Sequence, residues 1–237
     1  MTFQPQDPEK VDVVFARLIY PGESVGEGKG WYTDYPEMDF HLVEFIARTT
    51  NIDISSVTVS ISHPELYWYP LVYAAEPEQI QFDAEQSAAM LEYLDRGGVW
   101  FLDDFHGAVE LAQVYGTLAK IGGSRLRFES VCPARCELAS ALGAPKTMRH
   151  PLFNVFYAID SMEQVLLVHR AMDPANWEPF ENGESGRISE VVLGYLDDRR
   201  DPSIVMAYNQ DLGDGIEWAD DARYPAWMTV WAAKFIV

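Results

Sequence analysis

Three places in the sequence gather side chains able to move protons or hold a polar ligand. The strongest is the block Asp103-Asp104-Phe105-His106-Gly107, two carboxylates and an imidazole close together. A carboxylate beside an imidazole serves as acid and base near neutral pH, or as a ligand pair for a hard or borderline metal. The second place holds Asp34, Asp39 and His41, just after a glycine-rich stretch; the third is the acidic segment 209–221, with Asp211, Asp214 and Glu217 around Gly213 and Gly215. Each has a plainer explanation. Asp104 would cap the next helix while Gly107 permits the turn. An Asp near the start of a helix at 36–48 favours the helix dipole, and His41 is expected at the surface. Glycine turn chemistry explains most of the third segment, whose spacing is not that of a calcium loop.

Chemistry requires the three to meet, so the elements around them matter. Residues 66–107 read as strand, helix, strand. A short aromatic run at 69–75 has strand length, a helix over 82–96 has Asp83 as its N-cap and Gly97-Gly98 to close it, and 99–102 is too continuously apolar to be half exposed. The strand is expected to end at Asp103–Asp104, and consecutive strand residues point opposite ways, so one Asp continues the buried line while the other turns to the crevice. Further strands are expected at 11–20, 57–61, near Leu126, and at 162–169, 191–196 and 203–208, with helices over 107–120 and 133–142, a polar excursion over 173–187, and a tail at 225–237 that begins as helix. Strands alternate with helices through the first half. The expected fold class is therefore α/β, a three-layer, mostly parallel sheet with helices on both faces, in one domain over 1–237 with a flexible lead-in at 1–10. In such sheets ligands bind outside the carboxyl ends of the strands, where all three acidic places fall.

Other motifs fail on context. Residues 22–26 match G-x-S-x-G, but more glycines follow and the helix starts only near Pro36, so Ser24 is not a nucleophile elbow. Gly28-Lys29 is no phosphate loop, since Glu23 stands where its first glycine should be and Gly30 where Ser or Thr should be. Cys132 and Cys136 form neither a disulfide framework nor a C-x-x-C redox pair. Arg149-His150-Pro151 adds one more imidazole in a turn.

The formal charge of −20 on 237 residues, with 48% hydrophobic and 13% aromatic residues, describes a globular chain with little cationic cover. That argues against nucleic acid, whose phosphates need Lys and Arg, and against anionic lipid surfaces. No apolar run has the length of a membrane span, so direct membrane insertion is not expected. The numbered chain shows no signal peptide; as it stands it is expected in the cytoplasm, and outside it if a leader was removed.

The segments FARLIYPG, WYTDYPEMDFHL, HPELYWYPLVYA, LEYLDRGGVWFLDDFHG, HPLFNVFYAI and DLGDGIEW, spread in order from Phe15 to Trp218, resemble a bacterial family of unknown function, DUF4159. The resemblance implies a class I glutamine amidotransferase-like, flavodoxin-like fold, in which the strand ending at Asp103–Asp104 leads into the nucleophile elbow. An active glutaminase needs Cys there with a partner His–Glu pair, and this block has no Cys, so the resemblance implies a domain without glutaminase chemistry. Such members are often exported or fused to envelope-associated modules, and many continue into a further strand past the position of Val237. A trehalose-utilisation branch of the superfamily has a similar Gly-Gly strand ending near a His, an analogy to carbohydrate-like ligands.

Two readings follow. In the first, the crevice binds a small polar ligand or an envelope-associated partner protein through Asp34, Asp103, Asp104, His106, Asp211 and Asp214. In the second, the protein is a hydrolase, with Asp104 or His106 as base, Asp34 or Asp214 assisting, and a metal as one route. The sequence assigns no metal ligands, because a full set would have to come from distant loops, and it names no cofactor.

Overall fold

The computed structural model describes residues 11–22, 29–131, 190–208 and 211–221. The expectations for the lead-in 1–10, Ser24, Cys132, Cys136, the helix at 133–142, His150, the strand at 162–169, the excursion at 173–187 and the tail at 225–237 lie outside these residues.

Among the described residues, apolar, β-branched runs form seven strands: β1 (Val13–Ile19), β2 (Ile54–Ser60), β3 (Leu71–Ala75), β4 (Val99–Phe105), β5 (Leu126–Val131), β6 (Glu190–Leu196) and β7 (Ile204–Tyr208). They make one sheet in the order β2-β1-β3-β4-β7-β6-β5. β2, β1, β3, β4 and β7 run parallel, while β6 is antiparallel to both β7 and β5. The fold is thus α/β with a mostly parallel sheet.

Helices α1 (Glu37–Thr49), α2 (Ala84–Asp95), α3 (Gly107–Ile121) and α4 (Leu212–Glu217) cover the sheet. Alternation along the central strands sends Val72, Ala74, Trp100 and Leu102 to a core shared with Met90 and Leu94 of α2 and Val114 and Leu118 of α3. Tyr73, Ala75 and Phe101 point the other way, onto Met38, Leu42 and Ile46 of α1 and Leu212 and Ile216 of α4. Both faces of β3 and β4 are therefore buried, as their unbroken apolar runs predict. α2 starts where expected: Asp83 accepts from the Gln86 N–H at 2.8 Å and the Gln86 side chain accepts from the Asp83 N–H at 3.1 Å, a complete capping box. Among the described residues no helix is long and apolar enough to cross a membrane.

Three expectations change. β4 does not end at Asp103 but runs through both acids to Phe105, with a register shift against β7 between Leu102 and Phe105. The segment after β7 is not a glycine-governed loop: it holds α4, with Asp211 as N-cap accepting from the Asp214 N–H. β2 begins three residues earlier than its apolar core suggests, because Ile54 to Val57 pair in register with Val13 to Ala16.

Candidate functional site

The chain moves from β1 to β2 on one side and returns to place β3 on the other, so strand order reverses between β1 and β3. A crevice opens at such a switch point, beyond the strand C-termini. Tyr20 closes its floor by donating from its hydroxyl to the carbonyls of Ala75 (2.6 Å) and Glu76 (2.8 Å). Asp34 comes from the loop after β1, Glu76 from the end of β3, Asp104 from the end of β4 and Asp211 from the segment after β7.

A polar chain runs beneath the crevice on the α1/α4 face. Arg17, in the middle of β1 and fully buried, donates from Nε (2.8 Å) and Nη2 (2.6 Å) to Asp39 Oδ1 of α1. Its Nη1 donates to the carbonyl of Thr33 at 2.9 Å, next to Asp34, and the guanidinium lies 4.9 Å from the Tyr73 ring centroid. The Tyr73 hydroxyl donates to Asp103 Oδ2 at 2.9 Å, and that oxygen also accepts from the Leu212 and Gly213 N–H groups, each at 3.0 Å. Asp103 therefore holds the free amides at the start of α4, across 109 residues of sequence. This is why a segment with two glycines is helical.

The capping role expected of Asp104 thus belongs to Asp103, and to a different helix. His106, not Asp104, precedes α3, and it makes no side-chain cap there. Asp104 is left to face the crevice, its backbone left-handed at φ 58°. One of its carboxylate oxygens lies 3.8 Å from His106 Nδ1, and the two side chains are 13% and 14% exposed. One oxygen each from Asp34, Asp104 and Asp211 lie within 4.8 Å of one another, as do oxygens from Asp34, Asp214 and Glu217. The structure so brings together Asp34, Asp104, Asp211 and Asp214, sets His106 beside Asp104, and places Asp103 underneath as a structural acceptor. Asp34 belongs to both sets of three, and its Oδ2 is buried without a hydrogen-bond partner.

Crowding sets the protonation. Burial pushes the Asp34, Asp104 and Asp211 carboxyls well above the usual range, and repulsion adds to it: Asp214 and Glu217 act on Asp34, Asp34 and Glu76 on Asp104, and Asp104 and Asp214 on Asp211. Burial also raises Asp214, against the hydrogen bond it accepts from Trp218. Asp103 is pushed up to about 7 by burial, its hydrogen bonds opposing the shift. His106 is pulled down to about 4 by burial, so the imidazole is neutral at physiological pH.

Reading the sequence missed Arg17, Tyr73 and Glu76, and grouped Glu217 with the acids without assigning it. Arg17 had a signal, a lone cation inside an apolar strand; Tyr73 and Glu76 had none. His41 is not a surface residue: its Nδ1 is 2.8 Å from the Glu217 carbonyl and 3.1 Å from that of Ile216, tying α1 to the end of α4. A separate hollow of 230 Å³ lies near the start of β3 and β4, lined by residues such as Tyr67, Trp68, Pro70 and Arg96, away from the acids.

Fold and site define an α/β domain whose strand C-termini converge on a ring of carboxylates. The family described as "Domain of unknown function (DUF4159)" matches residues 14–237, and the chain belongs to that family. No curated protein matches the chain.

Proposed function

We propose that the domain has the class I glutamine amidotransferase-like, flavodoxin-like fold without its glutaminase chemistry, and that it binds a small polar ligand in the crevice. The fold assignment is supported by the parallel order β2-β1-β3-β4-β7, the flavodoxin-like arrangement with an antiparallel pair appended at one edge. It is further supported by Asp104, whose left-handed backbone in the last residues of β4, just before α3, matches the strained geometry of a nucleophile elbow while its side chain is a carboxylate. The ligand reading rests on one observation, the meeting of Asp34, Asp104 and Asp211 from three separate segments of the chain. Carboxylates accept hydrogen bonds and attract cations, so the ligand presents hydroxyl, amine or metal-bound groups; phosphates and other anions are repelled.

The test is thermal unfolding against polyols, amino sugars, amines and amino acids, with the wild type and Asp104→Asn. Asn tolerates the left-handed backbone, so this variant removes charge without adding strain. A ligand at 100 times its Kd stabilises by about 2.7 kcal/mol. The expected result is such a shift in the wild type and its loss in Asp104→Asn. No shift from any compound would overturn the small-ligand reading and leave the crevice to a partner protein.

A second reading, a hydrolase, is favoured by one feature. His106 is held neutral beside Asp104, which places an imidazole in its basic form next to a crevice carboxyl.

A further inference from the structure

We infer that Asp34, Asp104 and Asp211 form a binding site for one hard divalent cation, with Asp34 as its central ligand. The inference rests on the crevice being the binding site and names what makes that site work. Oxygens bound to one ion at about 2.0–2.6 Å cannot lie more than about 5 Å apart. The three carboxylates meet that limit, within 4.8 Å of one another. Asp34 adds an independent sign: its Oδ2 is buried and has no hydrogen-bond partner. An orphaned carboxylate oxygen shut away from solvent requires a proton, a water or an ion.

The guanidinium and the amides at the start of α4 are already committed. Arg17 is taken by Asp39 and the Thr33 carbonyl. The Leu212 and Gly213 amides go to Asp103, and the Asp214 amide to Asp211 Oδ1, which leaves Asp211 its second oxygen. Gly213 itself is shaped around Asp34, since a Cβ at that position would collide with Asp34 Oδ2 and lie 3.1 Å from the Tyr73 hydroxyl. The ligand set is all oxygen, without thiolate or imidazole, which selects Mg²⁺, Mn²⁺ or Ca²⁺ over zinc or copper. Three carboxylates fill only part of the roughly six to eight positions of such an ion. The rest are open to water and to hydroxyl or carbonyl oxygens of the small ligand, so the ligand class is an oxygen chelator such as a vicinal diol.

The test titrates the metal-stripped full chain with MnCl2, MgCl2 and CaCl2 by calorimetry. The expected result is one ion per chain for at least one metal, weakened about tenfold or more in Asp34→Asn, the scale of losing even an outer-shell partner. Glu85→Gln, at an exposed site on α2, is expected to bind as the wild type does. Melting in chelator separates binding from structure: Asp34→Asn relieves repulsion and melts at or above the wild type, and only the wild type gains on adding metal. No saturable uptake of any metal, equal uptake by Asp34→Asn, or a lower melting temperature for Asp34→Asn in chelator would overturn the inference. Ligand shifts that persist in chelator without metal uptake would sink the cation site and keep the ligand reading; metal uptake without any ligand shift would do the reverse.

Discussion

Arg17→Met tests whether the buried chain under the crevice holds its acids in place. Arg17 and Asp39 have side chains 0% and 3% exposed, so both are shut away from bulk solvent. Burial raises the Asp39 carboxyl even though Arg17 pulls it down, so the attraction does not fully offset the cost of taking the carboxylate out of water. The pair is therefore a poor source of net stability and a costly thing to break. Removing the guanidinium strands a buried carboxylate, an effect of about 3–5 kcal/mol, and it strips a donor from the Thr33 carbonyl. Asp39→Leu strands the cation at similar cost. The double variant leaves no buried charge and is expected to be more stable than either single one, as when a buried pair is replaced by packed apolar groups. Urea unfolding reads this directly: at a slope of about 3 kcal/mol/M, each single change lowers the midpoint by roughly 1–1.7 M. A loss under about 1 kcal/mol for Arg17→Met, or a double variant no better than the worse single one, would refute the reasoning. Because Thr33 precedes Asp34, Arg17→Met is also expected to weaken cation uptake.

Glu78 is pushed up to about 8 by burial, with Glu110 and Glu76 adding to it, from an ordinary 4.5. A raised folded-state pKa gives stability that is full below the unfolded value and lost as pH rises through about 8; for a partly buried group this amounts to roughly 1–3 kcal/mol. Melting temperature in chelator should fall from pH 6.5 to about 8.5, a window above the ordinary His106 value of 6.5, and Glu78→Gln should flatten part of the slope; an unchanged slope would dismiss Glu78 as a source. Gly213→Ala should destabilise despite the ~1 kcal/mol gained by Ala in a helix, because its Cβ meets Asp34; an equal or higher urea midpoint would show that Asp34 moves aside freely.

The sequence made local order legible and left long-range pairing hidden. The capping box of α2 and the doubly buried run of β4 are written in adjacent residues, and both were readable. The assignments that moved depend on distant partners. The cap expected of Asp104 is made by Asp103, because the amides that take it lie on α4, more than a hundred residues on. The helix in residues 212–217 was obscured by its glycines, which lower propensity; Asp103 and the Asp211 cap supply what propensity lacks. The antiparallel turn at β6 carries no mark in its own alternation, since β6 is as apolar as its parallel neighbours. The three acids could be named one by one, but only the sheet order shows that their segments share one crevice.

Their meeting is costly in two ways, and the costs coincide. Among the described residues four non-glycine residues have left-handed backbone: Asp197 lies in the turn between β6 and β7, while Asp34, Glu76 and Asp104 all lie at the crevice. Each such residue costs of order 1–3 kcal/mol. The same residues crowd buried carboxylates against each other, where Asn would fit the backbone and remove the repulsion. A purely structural strand end has no reason to keep both costs. A site that must present oxygens to a cation does, because only ionised carboxylates supply the charge and only the bent strand ends aim them at one point. Replacing Asp34, Asp104 and Asp211 together by Asn should therefore raise the melting temperature in chelator while abolishing metal uptake, trading function for stability. A triple variant less stable than the wild type in chelator would mean that the acids hold the fold together.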